Sequence, residues 1–540
     1  MKYLFSFLVV ILLMFTGCDK HLETDLIVIN ANIYTVDSTF AKAEAFAIRD
    51  GKFIDVGSTE KITNLYKAKE TVDAKGKTVV PGLIDAHCHF YGLGLQQQKV
   101  DLTGTKSFDE VVQRIVDFQK EKNVSYITGR GWDQNDWEIK EFPTKEKLDS
   151  LFPTTPIAIN RIDGHALLAN QAAIDLAQVT INTPFSGGEI IQKNGKLTGI
   201  FVDNPMELIT SKIPVPSLQE STQALKDAEK ICFDLGLTTV NDAGLEQSII
   251  ELIDSLQKTN ELKIRIYAMV SASDENLDHY IQKGISKTDR LNVRSFKFYS
   301  DGALGSRGAA LRQPYSDMPG HYGALVSDFS TIKEVAKRIA DSEFQMNTHA
   351  IGDSANHIIL QTYKNVLQDK KDRRWKVEHA QVISPEDFDL FDDIIPSIQP
   401  THATSDMYWA EDRLGGERIK GAYAYKQLLD NYGKVALGTD FPVEQVSPFL
   451  TFYAAVARKD LNNYPNGGFQ MENALSKEET LKGMTIWAAY SNFEEAEKGS
   501  IEPNKFADFC ILDSDIMTIP TQEVPTIKVL ETYVNGEKVN

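Results

Sequence analysis

Cysteine is almost missing from this chain, with four in 540 residues. Cys88, Cys232 and Cys510 are far apart and odd in number. That excludes a disulfide framework and leaves buried free thiols. An excess of positive charge is missing too, since the formal net charge is -19. This balance argues against a nucleic-acid backbone or an anionic membrane surface as the main partner. Internal repeats and low-complexity tracts are lacking, and the glycine-rich "SDGALGSRGA" has no Walker spacing, so it is not a phosphate loop. What remains is ordinary for a soluble globular protein, at 42% apolar and 25% charged residues. The length is too great for one small core and suits a large α/β barrel with a satellite domain.

The first residues differ in kind. The apolar run from Tyr3 to Phe15 is too short for a comfortable membrane span and reads as the core of a secretion signal over residues 1–17. Thr16-Gly17-Cys18 resembles a bacterial lipobox, departing from it at Phe15 where leucine is commoner. Cys18 would then be lipidated, and acyl chains would be the only membrane attachment of an exported cell-envelope lipoprotein. Cleavage near Gly17 without lipid is the alternative.

Beyond the tether, "DLIVINANIYTVD" and "AEAFAIRDGKFIDVG" alternate as β-strands do, and "FADFCILD" and "KVLETYVNGEKV" repeat that style at the far end, with a hairpin at Asn535-Gly536. A small composite β-sandwich domain from residues 18–80 plus 495–540 follows. Between its halves, over 81–494, strands are expected near Val79–Asp85, Leu237–Asn241, Ile264–Val270, Val293–Phe298, Phe344–Thr348, Trp375–Glu378, Ile395–Gln399 and Val435–Gly438. Amphipathic helices such as "EQSIIELIDSLQK" and "TIKEVAKRIADSE" separate them. Eight strands with helical crossovers predict an α/β fold of the (β/α)8, TIM-like class. About 150 residues separate the first two strands, far more than a crossover needs. This α/β insertion, at about 95–220, is placed to act as a lid or substrate wall.

Chemistry gathers at the strand ends. "VVPGLIDAHCHF" finishes in His87 and His89, which point the same way in an extended chain while Cys88 points away. Lys297 lies in strand four, His349 ends strand five, His379 ends strand six and Asp440 ends strand eight. In a barrel these ends converge on one face. Imidazole and carboxylate suit zinc and similar divalent ions. An ammonium inside a barrel strand is costly, and burial favours the neutral amine, which can take up carbon dioxide to give an anionic carbamate able to bridge two cations. The alternative is a lysine paired with Asp301 or turned outward.

Together, "PGLIDAHCHF", "SFKFYSDGALGSRGAAL", "NTHAIGD", "VEHAQ" and "ALGTDFPV" resemble the amidohydrolase superfamily, within it the amidohydrolase-3 group around YtcJ-like proteins and N-substituted formamide deformylase. The similarity runs from about Asp25 to the C-terminus, with a departure at Asn504 where glycine is usual. The resemblance implies His87 and His89 on one, more buried metal, His349 and His379 on a second, a carboxylated Lys297 bridging them, and Asp440 binding metal while acting as base. His165 and His402 recur in the same pattern and are expected to contact substrate or the developing oxyanion. Trp132 and Asp133 are expected in the pocket wall, Asp301 near the substrate, and Arg307 against a substrate carboxylate.

The expected activity is metal-assisted hydrolysis of a carbon–nitrogen, amide-type bond in a small molecule, with one or two divalent ions, zinc foremost. Nucleic acid is not expected as a partner, and a homodimer is compatible with this class. A mononuclear, deaminase-like site is the rival chemistry. A non-catalytic envelope lipoprotein that binds a solute is the non-enzymatic rival; it would not need Asp440 beside both histidine pairs.

Overall fold

The computed structural model describes residues 21–540 except 135–136, 162–163, 165, 186–187 and 306. Cys18 and His165 lie outside the described residues. Eight parallel strands form the central sheet: β1 (Leu83–Cys88), β2 (Leu237–Leu245), β3 (Arg265–Ser271), β4 (Leu291–Tyr299), β5 (Gln345–Ala350), β6 (Lys376–His379), β7 (Ile395–Ile398) and β8 (Ala436–Leu437). They neighbour one another in sequence order, and helices cover the outside, which is the architecture of a nearly closed (β/α)8 barrel. The two amphipathic patterns become Gln247–Lys258, which buries Ile250, Ile253 and Leu256, and Phe329–Ala340, which buries Ile332, Val335 and Ile339. The second starts where Asp328 accepts the Thr331 N–H, a side-chain cap that satisfies an orphan donor.

The expected first strand is in fact two. Thr78–Pro81 pairs antiparallel with Phe509–Leu512 in the outer sheet, and only Leu83–Cys88 enters the barrel. Pro81 lacks an N–H for a continuing ladder. At Gly82 an added Cβ would lie 2.2 Å from Thr238 Oγ1, so the chain passes against β2 only because no side chain is there. The last strand is the shortest, and side-chain and backbone bonds close the barrel beyond it. Asp85 on β1 accepts from the Thr439 hydroxyl at 2.7 Å, the Asp440 N–H donates to the His87 carbonyl at 2.8 Å, and the His89 N–H to Phe441 at 2.7 Å. Closure therefore sets His87, His89 and Asp440 side by side.

The two chain ends build two sheets, one of four strands (22–29, 45–49, 52–57, 66–73) and one of six that joins 32–34, 42–43 and 78–81 to 509–512, 529–534 and 537–538. Phe46 and Phe53 from one and Phe509 and Tyr533 from the other share a buried core. The hairpin turn is at Asn535-Gly536, both with positive φ as a two-residue turn requires. Arg265, at the start of β3 and fully buried, clamps this sheet to the barrel by donating to both oxygens of Asp508 at 2.6 and 2.9 Å. Removing one member of a buried pair strands the other charge. Asp508→Ala should therefore lower stability by about 3–5 kcal/mol in denaturant unfolding; a change under about 1 kcal/mol would mean the clamp is dispensable.

The insertion forms its own six-stranded sheet between residues 100 and 203, with separate apolar cores around Trp132 and Phe201. Among the described residues, no helix is long and apolar enough to cross a membrane.

Candidate metal centre and the cavity above it

Inside the strand ends, the histidines are fixed from behind. Glu378 accepts from His87 Nδ1 at 2.6 Å, the Ala243 carbonyl from His89 Nδ1 at 3.1 Å, and Gln399 Oε1 from His379 Nδ1 at 2.8 Å. A carboxylate or carbonyl only accepts, so each Nδ1 carries the proton and each Nε2 keeps a lone pair. That is the tautomer a ligand needs, set by its outer partner. Burial, with Lys297 adding to it, lowers the His87 basicity against the pull of Glu378; burial and neighbouring imidazoles push His379 well below the usual range. For His349, burial and then Lys297 take the value to about 3. His87, His349 and His379 are therefore neutral, whereas His89 is the exception: burial lowers its basicity, but Asp440 beside its Nε2 raises it overall.

Asp440 sits at the centre. Its Oδ1 is 3.2 Å from His89 Nε2 and 3.6 Å from His87 Nε2, and its Oδ2 is 3.6 Å from His402 Nε2. Burial alone would raise this carboxyl, but His89, His87 and His402 together hold it well below the carboxylate range. The backbone at Asp440 and His379 has positive φ, 63° and 72°. Asp tolerates that region and His less so, which marks a position over-determined by its surroundings.

Lys297 is buried and points inward, with Nζ 3.1 Å from His87 Nε2. Burial lowers it to about 8 against the opposing pull of Glu378 and Asp440. It neither turns to solvent nor pairs with Asp301; among the described residues it has no carboxylate within ion-pair distance. Asp301 is committed elsewhere. It is buried and accepts the N–H groups of Ala310, Ile351 and Gly352 at 2.8–3.0 Å, which ties the loop after β4 to the loop after β5. It does not line the cavity, contrary to the expectation of substrate contact.

The donor set fits a divalent ion. One ligand atom each from His87, His379 and Asp440 can lie within 4.8 Å of the others, and all three residues are buried. Among the described residues Asp440 Oδ1 has no hydrogen-bond partner, a cost that a cation would relieve. This trio takes one histidine from each expected pair. His89 joins through Asp440, and His349 through its ring, 4.5 Å from that of His379.

Above this cluster is a cavity of about 380 Å3. His89, Lys297, His349, His379, His402 and Asp440 face it, with Tyr299, Leu304, Ile351, Trp409 and Val443 on its sides. His402 is therefore where substrate contact is expected. Three other expectations need correction. Trp132 is fully buried in the core of the insertion, its indole N–H donating to the Ile159 carbonyl. Asp133 pairs with Arg161 at 2.5 Å. Arg307 is paired at 2.8 Å with Asp317, which Arg413 also contacts. None of the three reaches the cavity, and among the described residues the insertion contributes nothing to its wall. The loops after β4, β7 and β8 form it instead.

Comparison with known proteins places this arrangement. A profile described as "Amidohydrolase family" matches residues 70–540. The chain belongs to the amidohydrolase family. It is 30% identical to YtcJ of Bacillus subtilis (strain 168), covering 94% of this chain and 98% of that protein. It is 26% identical to N-substituted formamide deformylase of Arthrobacter pascens, over 95% of this chain and 97% of the relative. A crystal structure of a metal-dependent hydrolase from Pyrococcus horikoshii superposes with a TM-score of 0.77 at 28% identity, over 92% of this chain and 99% of that one. This amidohydrolase is thus an enzyme, a hydrolase of carbon–nitrogen bonds with a candidate metal site.

Glu378 is the residue that sequence reasoning missed. In a regular strand it would point away from its neighbour His379. The positive φ at His379 breaks the alternation, and both side chains approach His87. Glu378→Gln should weaken metal affinity about 10–100-fold, because a neutral amide holds the His87 tautomer less firmly. Competition with a chromogenic chelator measures it, and unchanged affinity would show that Glu378 does not support His87.

Proposed function

We propose that this amidohydrolase hydrolyses an amide-type bond in a small molecule with the help of one or two divalent ions, zinc foremost. His87, His89, His349, His379, Asp440 and a carboxylated Lys297 would hold them. The observation that carries the reading is the convergence of lone-pair-bearing imidazoles on the unpartnered oxygen of Asp440 beneath an open cavity. An ammonium 3.1 Å from His87 Nε2 is incompatible with a cation held by that nitrogen, whereas a carbamate, formed from the neutral amine and carbon dioxide, is an anionic ligand. A bound divalent ion supplies Lewis acidity, which polarises a carbonyl and acidifies water.

The residues of the chain do the rest. Asp440, held ionised chiefly by its contact with His89, accepts a proton from the attacking water and delivers it to the departing nitrogen. His402 Nε2, on the Asp440 side of the cavity, is placed to donate to the substrate oxygen as charge develops there. Burial of Lys297 and Glu378 below them keeps bulk water out of the lower site.

The test is metal analysis of the purified protein together with a panel of N-formyl and N-acyl amines. Hydrolysis lost to a chelator and restored by zinc is the expected result. A metal-replete protein inactive across the panel would sink the amide-type reading, and absence of both metal and turnover would favour a solute-binding protein.

For location, the reading is an exported lipoprotein anchored at Cys18, supported by the composition of residues 1–18. Metabolic labelling with a fatty acid, abolished by Cys18→Ser, is the expected result.

A further inference from the structure

The cavity over the metal centre has a charge pattern that the proposed reaction does not need. Apart from Lys297 on its floor, no lysine or arginine lines it among the described residues, while two carboxylates outside the ligand set do, Asp406 and Glu444. They sit close together. The Ser405 hydroxyl is 2.7 Å from Glu444 Oε1 and 3.5 Å from Asp406 Oδ1. Tyr423 and Gln381 hold the other oxygen of Asp406, Oδ2, at 2.8 and 3.1 Å. That fixes the carboxylate and, among the described residues, leaves Oδ1 with the long serine contact alone. The rest of the wall includes apolar and aromatic side chains, Tyr299, Leu304 and Trp409 among them. This space is continuous with the candidate metal centre: the side chain of Asp440, 8% exposed, lines it together with His89, His349, His379 and His402, so whatever is bound beside Asp406 and Glu444 also meets the reacting groups. Arg307, the cation expected against a substrate carboxylate, is held in its pair with Asp317.

We infer that Asp406 and Glu444 make this amidohydrolase selective for substrates whose amine portion carries an apolar or aromatic body and a positive charge, and that they reject substrates bearing a carboxylate. The inference rests on the hydrolase reading and deepens it by naming the substrate class. The physical reason is simple. Away from the metal ligands, a carboxylate beside Asp406 and Glu444 meets two like charges and, among the described residues lining the cavity, no lysine or arginine but Lys297 on the floor. Its lost hydration is poorly repaid there, whereas an ammonium finds two partners already in place. The same pair also meets the amine product, which leaves as an ammonium after taking up its proton.

Three N-benzylformamides of similar size, bearing para-aminomethyl, para-methyl and para-carboxylate groups, separate the possibilities with the zinc-loaded full chain. The expected order of kcat/KM is cationic, then neutral, then anionic, with about tenfold or more between the ends at low salt. The cationic-to-anionic ratio should fall several-fold in Glu444→Gln and in Asp406→Asn, and with added salt in the parent protein. Glu444 is half-buried on a loop, so its variant remains informative if Asp406→Asn disturbs Tyr423 and Gln381. Equal rates, a reversed order, or a ratio unmoved by both variants would overturn the inference. Binding of benzylamine against benzyl alcohol, read by calorimetry, gives a readout independent of turnover. Tighter binding of the amine, weakened by Glu444→Gln, supports the charge selection even if no formamide is cleaved, and equal binding refutes it. Turnover of the neutral compound without any charge order defeats this inference alone.

Discussion

Asp440→Asn should lower kcat about 10²–10⁴-fold, the range that a positioned proton carrier contributes. The substitution suits the test because little else changes. Asn is nearly the same size, tolerates the positive φ of 63° at this position, and keeps the backbone N–H that donates to the His87 carbonyl. The amide cannot take a proton from water at neutral pH. It also loses the charge that holds His89 and faces His402. Metal content must be measured on the same preparation. A large fall in kcat with the ions retained assigns proton transfer to Asp440, and parallel loss of metal assigns the effect to ligation. Loss of less than about tenfold with full metal content would remove Asp440 from the proton path.

Lys297→Ala is the second large effect. If the carbamate bridges two ions, the variant should lose one metal equivalent and at least about 10²-fold in kcat/KM, because an anionic ligand disappears from the centre. Two further measurements make the result specific. A short carboxylate such as acetate or propionate should restore part of the activity by filling the space vacated, and the parent protein reconstituted without carbon dioxide should load less metal than with bicarbonate. An unchanged metal count would show that Lys297 bridges no ion, leaving a centre built on such residues as His87, His379 and Asp440, whose ligand atoms lie within 4.8 Å of one another. The side chain is buried and has no carboxylate ion-pair partner among the described residues, so its removal relieves an unfavourable burial and should not unfold the barrel.

The parts of the site that were legible in the sequence share one property: each is carried by local spacing. His87 and His89, two apart in an extended segment, share a face. Lys297, His349, His379 and Asp440 are at or next to strand ends, and a barrel gathers such ends without further instruction. The misplaced residues depended on partners distant in the chain. Asp301 reads as a substrate contact until Ile351 and Gly352, fifty residues on, are seen donating to it. Arg307 reads as a free cation until Asp317 and Arg413 are seen around it. Trp132 reads as a pocket wall, yet an amphipathic indole fills the core of the insertion as readily as it lines a cavity. Glu378 was hidden because regular alternation does not extend through His379, whose φ is positive.

Periodicity and spacing alone were thus sufficient for the barrel, the sheet shared by the two chain ends, and the positions that converge over the strands. These follow from backbone geometry, which local sequence controls. Which carboxylate steadies which imidazole, which loops wall the cavity, and the sign of the charge that faces a substrate were decided by the tertiary structure. Those outcomes turn on contacts of a few ångströms between residues tens to hundreds of positions apart, and no local pattern encodes them.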